Sequence, residues 1–168
     1  MTCFLFEEKE YILMQSISFD SDLVLFFNNK LSCEEVEKTL SSKLLERGFV
    51  KNTYPSAIAS REIDYPTAID TGGYNVAIPH CDIENVNSPA ICMGILKQPT
   101  SWYRMDDAKS TCEVSLVIML ALNEAHAHLD VLKNIMNVMQ NQKLIKKIIG
   151  STDKKESFSL FKKALIEK

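Results

Sequence analysis

The run Val114-Ser115-Leu116-Val117-Ile118-Met119-Leu120-Ala121-Leu122 constrains this chain more than any other stretch. It carries one hydroxyl and no charge, so both faces of any strand it forms must be covered, which puts it at the centre of a sheet. It is too short for the roughly 18 apolar residues of a membrane-spanning helix. Beyond it, Leu129, Val131, Leu132, Ile135, Met136, Val138 and Met139 recur at helical spacing. That spacing predicts a helix from about Glu124 to Gln140, with Asn123 as its N-cap.

The rest of the chain repeats the alternation of strand and helix. Leu23–Phe27, Val76–Ile78 and Ala90–Leu96 read as short buried strands, the last bounded by Pro89 and Pro99. Ser32 and Glu35 form a capping-box pattern opening a helix along Val36, Leu40 and Leu44, which Gly48 stops. A shorter helix starts near Thr53, with Pro55 in its first turn, and ends near Arg61, because Pro66 disfavours helix at Tyr65. Gly72-Gly73 is a turn; it lacks the lysine and following helix of a phosphate loop. Trp102 to Ser110 reads as a polar connection, and further helices are expected over Gln142–Ile149 and Asp153–Ile166. The expected fold class is α/β: one three-layer domain over residues 1–168, with a mixed β-sheet flanked by helices, a core over about 23–150 and a C-terminal helix at 153–166.

Charge and cysteines exclude several functions. The net charge is −3 and no basic cluster is interleaved with aromatics, so nucleic acid is not an expected partner. The apolar run Cys3–Phe6 is cut by Glu7-Glu8-Lys9-Glu10 and lacks a basic segment before it, so neither a signal peptide nor membrane insertion is expected. The five cysteines have no CxxC spacing, which fits free thiols in a reducing cytoplasm better than disulfides or a zinc site.

The chemistry concentrates on histidine. There are three: His80, His126 and His128. His80 follows Pro79 at the exit of the Val76–Ile78 strand, where a rigid element would hold it. Cys81 is a poor partner for it, since adjacent side chains on extended backbone point to opposite faces. On a helix turning roughly 100° per residue, His126 and His128 diverge by roughly 200° and cannot share a ligand with His80. The same projection puts His128 near the apolar face, as either a core histidine or an inward-facing group near a helix N-terminus that favours anions. His126 falls on the polar side.

Arg61-Glu62 with Pro66-Thr67, the segment VAIPHC at Val76–Cys81, PAICMGILKQP followed by Trp102, and SLVIMLAL running into EAHAHLDVLKNIM together resemble the mannitol/fructose-type enzyme IIA domain of the bacterial phosphoenolpyruvate-dependent sugar phosphotransferase system. The resemblance covers roughly Leu23 to Gly150, and the GGYNVAIPHC and LALNEAHAHLDVL stretches look most like its galactitol-specific branch. It implies a phosphocarrier in which His80 takes a phosphoryl group from phospho-HPr and passes it to a cysteine of a IIB component. Arg61 matches the arginine that holds the phosphoryl group. A second site histidine matches His128, although similar galactitol-type sequences can carry it two residues earlier, at His126. Thr67 and Asp82 are further candidates for orientation. No cofactor or metal is implied. Tyr74 and Ile78 are candidates for an apolar docking ring around His80, with core packing the alternative, favoured for Ile78. A free-standing regulatory domain of the same fold, signalling phosphorylation state by protein binding, is the alternative function.

Overall fold

The computed structural model describes Glu8 and residues 15–166. Its centre is a five-stranded sheet of β1 (Val24–Phe27), β2 (Ala68–Ile69), β3 (Asn75–Ala77), β4 (Ala90–Tyr103) and β5 (Thr111–Ala121), in spatial order β1-β4-β5-β3-β2. The sheet is mixed: β4 and β5 are antiparallel, β1 runs parallel to β4, β3 parallel to β5, and β2 antiparallel to β3. The long helices are α1 (Cys33–Glu46), α2 (Tyr54–Asp64), α3 (Ala125–Gln140), α4 (Gln142–Gly150) and α5 (Lys154–Ile166).

The uncharged run after Val114 occupies the place its composition demands. β5 lies between β4 and β3, and every residue from Val114 to Leu122 is buried. Helices cover both faces of the sheet. On β4, the open side of Gly94 faces Leu40 of α1, whereas Ile91, an odd number of residues away and so on the other face, lies with Phe19 and Leu165. The core reaches Ile17 and Phe19 at one end of the chain and Phe161 at the other, and the Phe19 and Phe161 rings meet edge to face at 5.6 Å.

Local signals hold where the partners are local. Ser32 Oγ accepts from the Glu35 N–H at 3.3 Å and Glu35 Oε2 accepts from the Ser32 N–H at 2.8 Å, closing the capping box. Val36, Leu40 and Leu44 are buried beneath α1, and Gly48 takes φ +76° just past its end.

Some expectations are corrected. Pro99 does not end β4; the strand absorbs it in the register shift between Ile95 and Thr100, where a missing ladder N–H is tolerated. Trp102 therefore lies in the sheet opposite Cys112, 1% exposed, rather than in a polar connection. The N-cap of α3 is Glu124, with extended backbone and no side-chain cap bond, rather than Asn123. α2 continues past Arg61 to Asp64 before Pro66 returns the chain to extended conformation. Leu129 and Met136, part of the apolar periodicity of α3, are 72% and 45% exposed.

Candidate functional site

His80 is placed by backbone pairing. The chain leaving β3 stays beside β5, so that His80 bridges Leu120 in parallel register and the Leu120 N–H donates to Pro79 O at 2.9 Å. The carbonyl of the same residue is held by Tyr54, buried at the start of α2, whose hydroxyl donates to Leu120 O at 2.7 Å. Ile78 is fully buried, so it belongs to the core and not to a docking ring. Tyr74 is at the wrong end: it precedes β3 while His80 follows it, a separation of roughly 20 Å at strand rise. The Tyr74 N–H is tied to Gln142 Oε1 of α4 at 2.7 Å.

The His80 ring is half-buried, with Nδ1 2.9 Å from the carbonyl oxygen of Ile78. A carbonyl only accepts, so Nδ1 carries the hydrogen and Nε2 keeps a lone pair. Burial depresses the His80 pKa below the usual histidine value; the Arg61 charge adds to this, while the Ile78 carbonyl and Asp82 oppose it. The net direction leaves the ring neutral at neutral pH.

Arg61 lies in the last turn of α2 and faces the same end of the sheet. Its Nη1 is 3.5 Å from Asp82 Oδ1, its guanidinium carbon sits 5.6 Å from the centre of the Tyr65 ring, and its buried Nε has no hydrogen-bond partner among the described residues. A cleft of about 460 Å³ opens here, lined in part by Ser60, Arg61, Tyr65, Cys81 and Asp82. Tyr65 and Ile83, 68% and 40% exposed, supply apolar surface beside it. Cys81 is buried with its thiol pushed up to about 12 by burial, which suits packing rather than nucleophilic attack.

Sequence reasoning missed Glu62. Its Oε1 accepts from the Thr67 N–H at 2.6 Å and from the Trp102 indole N–H at 2.8 Å, and its Oε2 accepts from the Thr67 hydroxyl at 2.9 Å. The Thr67 oxygen in turn accepts from the Ile78 N–H at 3.2 Å. Burial raises the Glu62 pKa, against these donors and the Arg61 charge. The available signal was the pairing of Arg61-Glu62 with Pro66-Thr67, which puts a carboxylate within reach of the turn it must hold.

The backbone of His126 and His128 forms the first turn of α3, which starts just past the end of β5, on the side of the sheet where His80 emerges. The side chains of both histidines lie outside the described residues. Among the described residues, no group of three or more His, Cys, Asp or Glu side chains could hold a metal ion. No helix there is long and apolar enough to cross a membrane.

Comparison with known proteins shows the family and the fold. The family described as phosphoenolpyruvate-dependent sugar phosphotransferase system, EIIA 2, matches residues 18–164. The galactitol-specific EIIA component of Escherichia coli (strain K12) is 30% identical over 131 residues, covering 76% of this chain and 85% of that protein. The crystal structure of IIA mannitol from Escherichia coli superposes with a TM-score of 0.70 at 20% identity, covering 86% of this chain and 99% of that one. The same score and identity are found for enzyme IIAMTL in its complex with phosphorylated enzyme IIBMTL from Escherichia coli, covering 86% of this chain and 96% of that one. At that identity the two structures establish the fold.

Proposed function

This chain belongs to the EIIA 2 family of the phosphoenolpyruvate-dependent sugar phosphotransferase system, whose members are phosphotransferases that carry a phosphoryl group, and we propose that His80 is the residue that carries it. The observation behind this reading is the His80 ring itself: half-buried, with Nδ1 on the Ile78 carbonyl so that the lone pair stays on Nε2, and with burial and the nearby Arg61 guanidinium depressing its basicity.

The transfer needs little beyond placement and charge stabilisation. Nε2 attacks the phosphorus of the phosphohistidine of HPr. The new P–N bond forms as the old one breaks, and the donor imidazole leaves with the electron pair. No proton has to move on His80, because the Nδ1–H remains on the Ile78 carbonyl, which also stabilises the positive charge growing on the ring. Arg61 swings its donors from Asp82 to the phosphoryl oxygens, exploiting an ion pair that is long and solvent-exposed. His128 completes the set by hydrogen-bonding the phosphoryl group from the first turn of α3, where free backbone N–H groups favour an anion. A cysteine thiolate of the IIB component then attacks the same phosphorus, a P–S bond forms, and His80 leaves as neutral imidazole.

The relative that is a galactitol-specific EIIA component supports galactitol or a related sugar as the transported substrate, with a IIB protein of that transporter as acceptor. The exposed Tyr65 and Ile83 beside the cleft suit brief docking of both partners. Incubating the purified protein with phosphoenolpyruvate and the general carrier proteins tests this. An acid-labile, base-stable phosphate that moves on to the galactitol IIB is expected. Failure to acquire phosphate would overturn it.

A further inference from the structure

We propose that Glu62 and Thr67 are positioning residues for phosphoryl transfer, setting which nitrogen of His80 is nucleophilic through the backbone of Ile78. This rests on the reading of His80 as phosphoryl acceptor.

The chain of contacts is continuous. Trp102, buried in β4, gives its indole N–H to Glu62 Oε1 at 2.8 Å and so fixes the carboxylate at the end of α2. Glu62 grips Thr67 twice, through the N–H at 2.6 Å and the hydroxyl at 2.9 Å. Because that hydroxyl hydrogen is committed to the carboxylate, the Thr67 oxygen can only accept, and what it accepts is the Ile78 N–H at 3.2 Å. Ile78 is thereby held at its N–H, which also reaches the Thr67 carbonyl oxygen at 3.4 Å, and the carbonyl on the other side of its Cα, in the next peptide unit, receives Nδ1 of His80 at 2.9 Å. Only the Thr67 hydroxyl in this line could point either way, and the carboxylate fixes its direction; the amide can only donate and the Ile78 carbonyl can only accept.

The consequence is a tautomer. Neutral imidazole can carry its hydrogen on either nitrogen, and the tautomer present is fixed by the bond the other nitrogen makes. A ring free to swing away from the Ile78 carbonyl would put hydrogen on Nε2 for part of the time and remove the lone pair that attacks phosphorus. Glu62 touches neither the ring nor the phosphoryl group in this scheme. It acts on the ring through two intervening residues.

The test is the Thr67→Val variant, which keeps the branched shape and loses the hydroxyl, with Thr67→Ser as the conservative control and Glu62→Gln as a second route to the same effect. Proton–nitrogen NMR of ¹⁵N-histidine-labelled protein near pH 7.5 reads the His80 tautomer directly, without any phosphoryl donor. The wild type and Thr67→Ser are expected to hold hydrogen on Nδ1. Thr67→Val is expected to show a mixed population and roughly tenfold slower transfer from phospho-HPr at unchanged KM, with Glu62→Gln moving the same way. A folded Thr67→Val protein with the wild-type tautomer, or a Thr67→Ser protein as defective as Thr67→Val, would overturn the proposal. Should Thr67→Val not fold, an unchanged tautomer in Glu62→Gln would overturn it equally. A wild-type protein that holds the tautomer yet takes no phosphate would fail the functional reading instead.

Discussion

His80 and Leu120 face each other in parallel register, and the Leu120 N–H reaches back to Pro79 O at 2.9 Å. This pairing carries the rigidity of the central strand past the end of β3 and delivers it to one imidazole. Tyr54 holds the carbonyl of Leu120 through its hydroxyl. A ring used for transfer between proteins benefits from such a mount, because misplacement of the reacting atom is costly in rate.

Removing the guanidinium tests the electrostatic part of the site. Arg61→Ala is expected to slow transfer about 10²–10³-fold, the range found when one preorganised donor is taken from a charge-stabilising site. Arg61→Lys should recover only part of the loss, since a point charge cannot reproduce the fork of donors. The melting temperature should barely change, because the Arg61–Asp82 pair is long at 3.5 Å and exposed. Single-turnover transfer from phospho-HPr measures the first effect and calorimetry the second.

The acid limb of the rate profile reports on the His80 ring. Burial and Arg61 lower its pKa below the usual histidine value, so the neutral, nucleophilic form persists to lower pH than for a free imidazole. Transfer should decline on the acid side at a lower pH than a free imidazole would dictate. In Arg61→Ala the decline should begin at higher pH, because a lowering influence has been removed. Initial rates across the range, with the partner proteins in excess, give the comparison.

Reading the fold from sequence works where information is local. The capping box of Ser32 and Glu35 spans one turn, and the uncharged run from Val114 has few places to go, so α1 and β5 were legible. His80 and Arg61 stood out by type and setting. Glu62 did not, because its partner Trp102 is 40 residues distant in the chain and Pro99 disguised the strand that brings it near. The two-residue β2 is too short to show a period, and the exposure of Leu129 and Met136 depends on what packs beside α3, which helical spacing does not encode.

A second glutamate governs stability. Glu37 is 5% exposed, its Oε1 has no hydrogen-bond partner among the described residues, and it lines a cavity of about 570 Å³ with Glu62 and Trp102. Burial, reinforced by the negative charges of Glu62 and Glu34, pushes its pKa up to about 8. The folded protein thus keeps Glu37 protonated where the unfolded chain has ionised it. That contribution is complete below the ordinary glutamate range and is lost as pH rises towards 8. Unfolding free energies from denaturant titrations should fall between about pH 5 and 8, by at most about 1.4 kcal/mol per pH unit from this group, and level off above that. Glu37→Gln should flatten the slope; an unchanged slope would contradict the assignment.

Packing on the α1 side of the sheet makes a separate claim. A Cβ at position 94 would come within 3.0 Å of the Phe27 ring and 3.2 Å of Leu40. Gly94→Ala is expected to cost about 1–3 kcal/mol by overpacking, measured by urea unfolding. Leu40→Val in the same chain should recover part of it, whereas additive losses would show that the two sites do not meet.

The most direct test of the account is the position of the phosphate. Phosphorylated protein, analysed by phosphorus–nitrogen NMR with peptide mapping under basic conditions, should carry a single phosphoryl group on Nε2 of His80, and His80→Gln should carry none while remaining folded. Phosphate on Nδ1 of that ring, on His126 or His128, or persisting in the His80→Gln protein would contradict it.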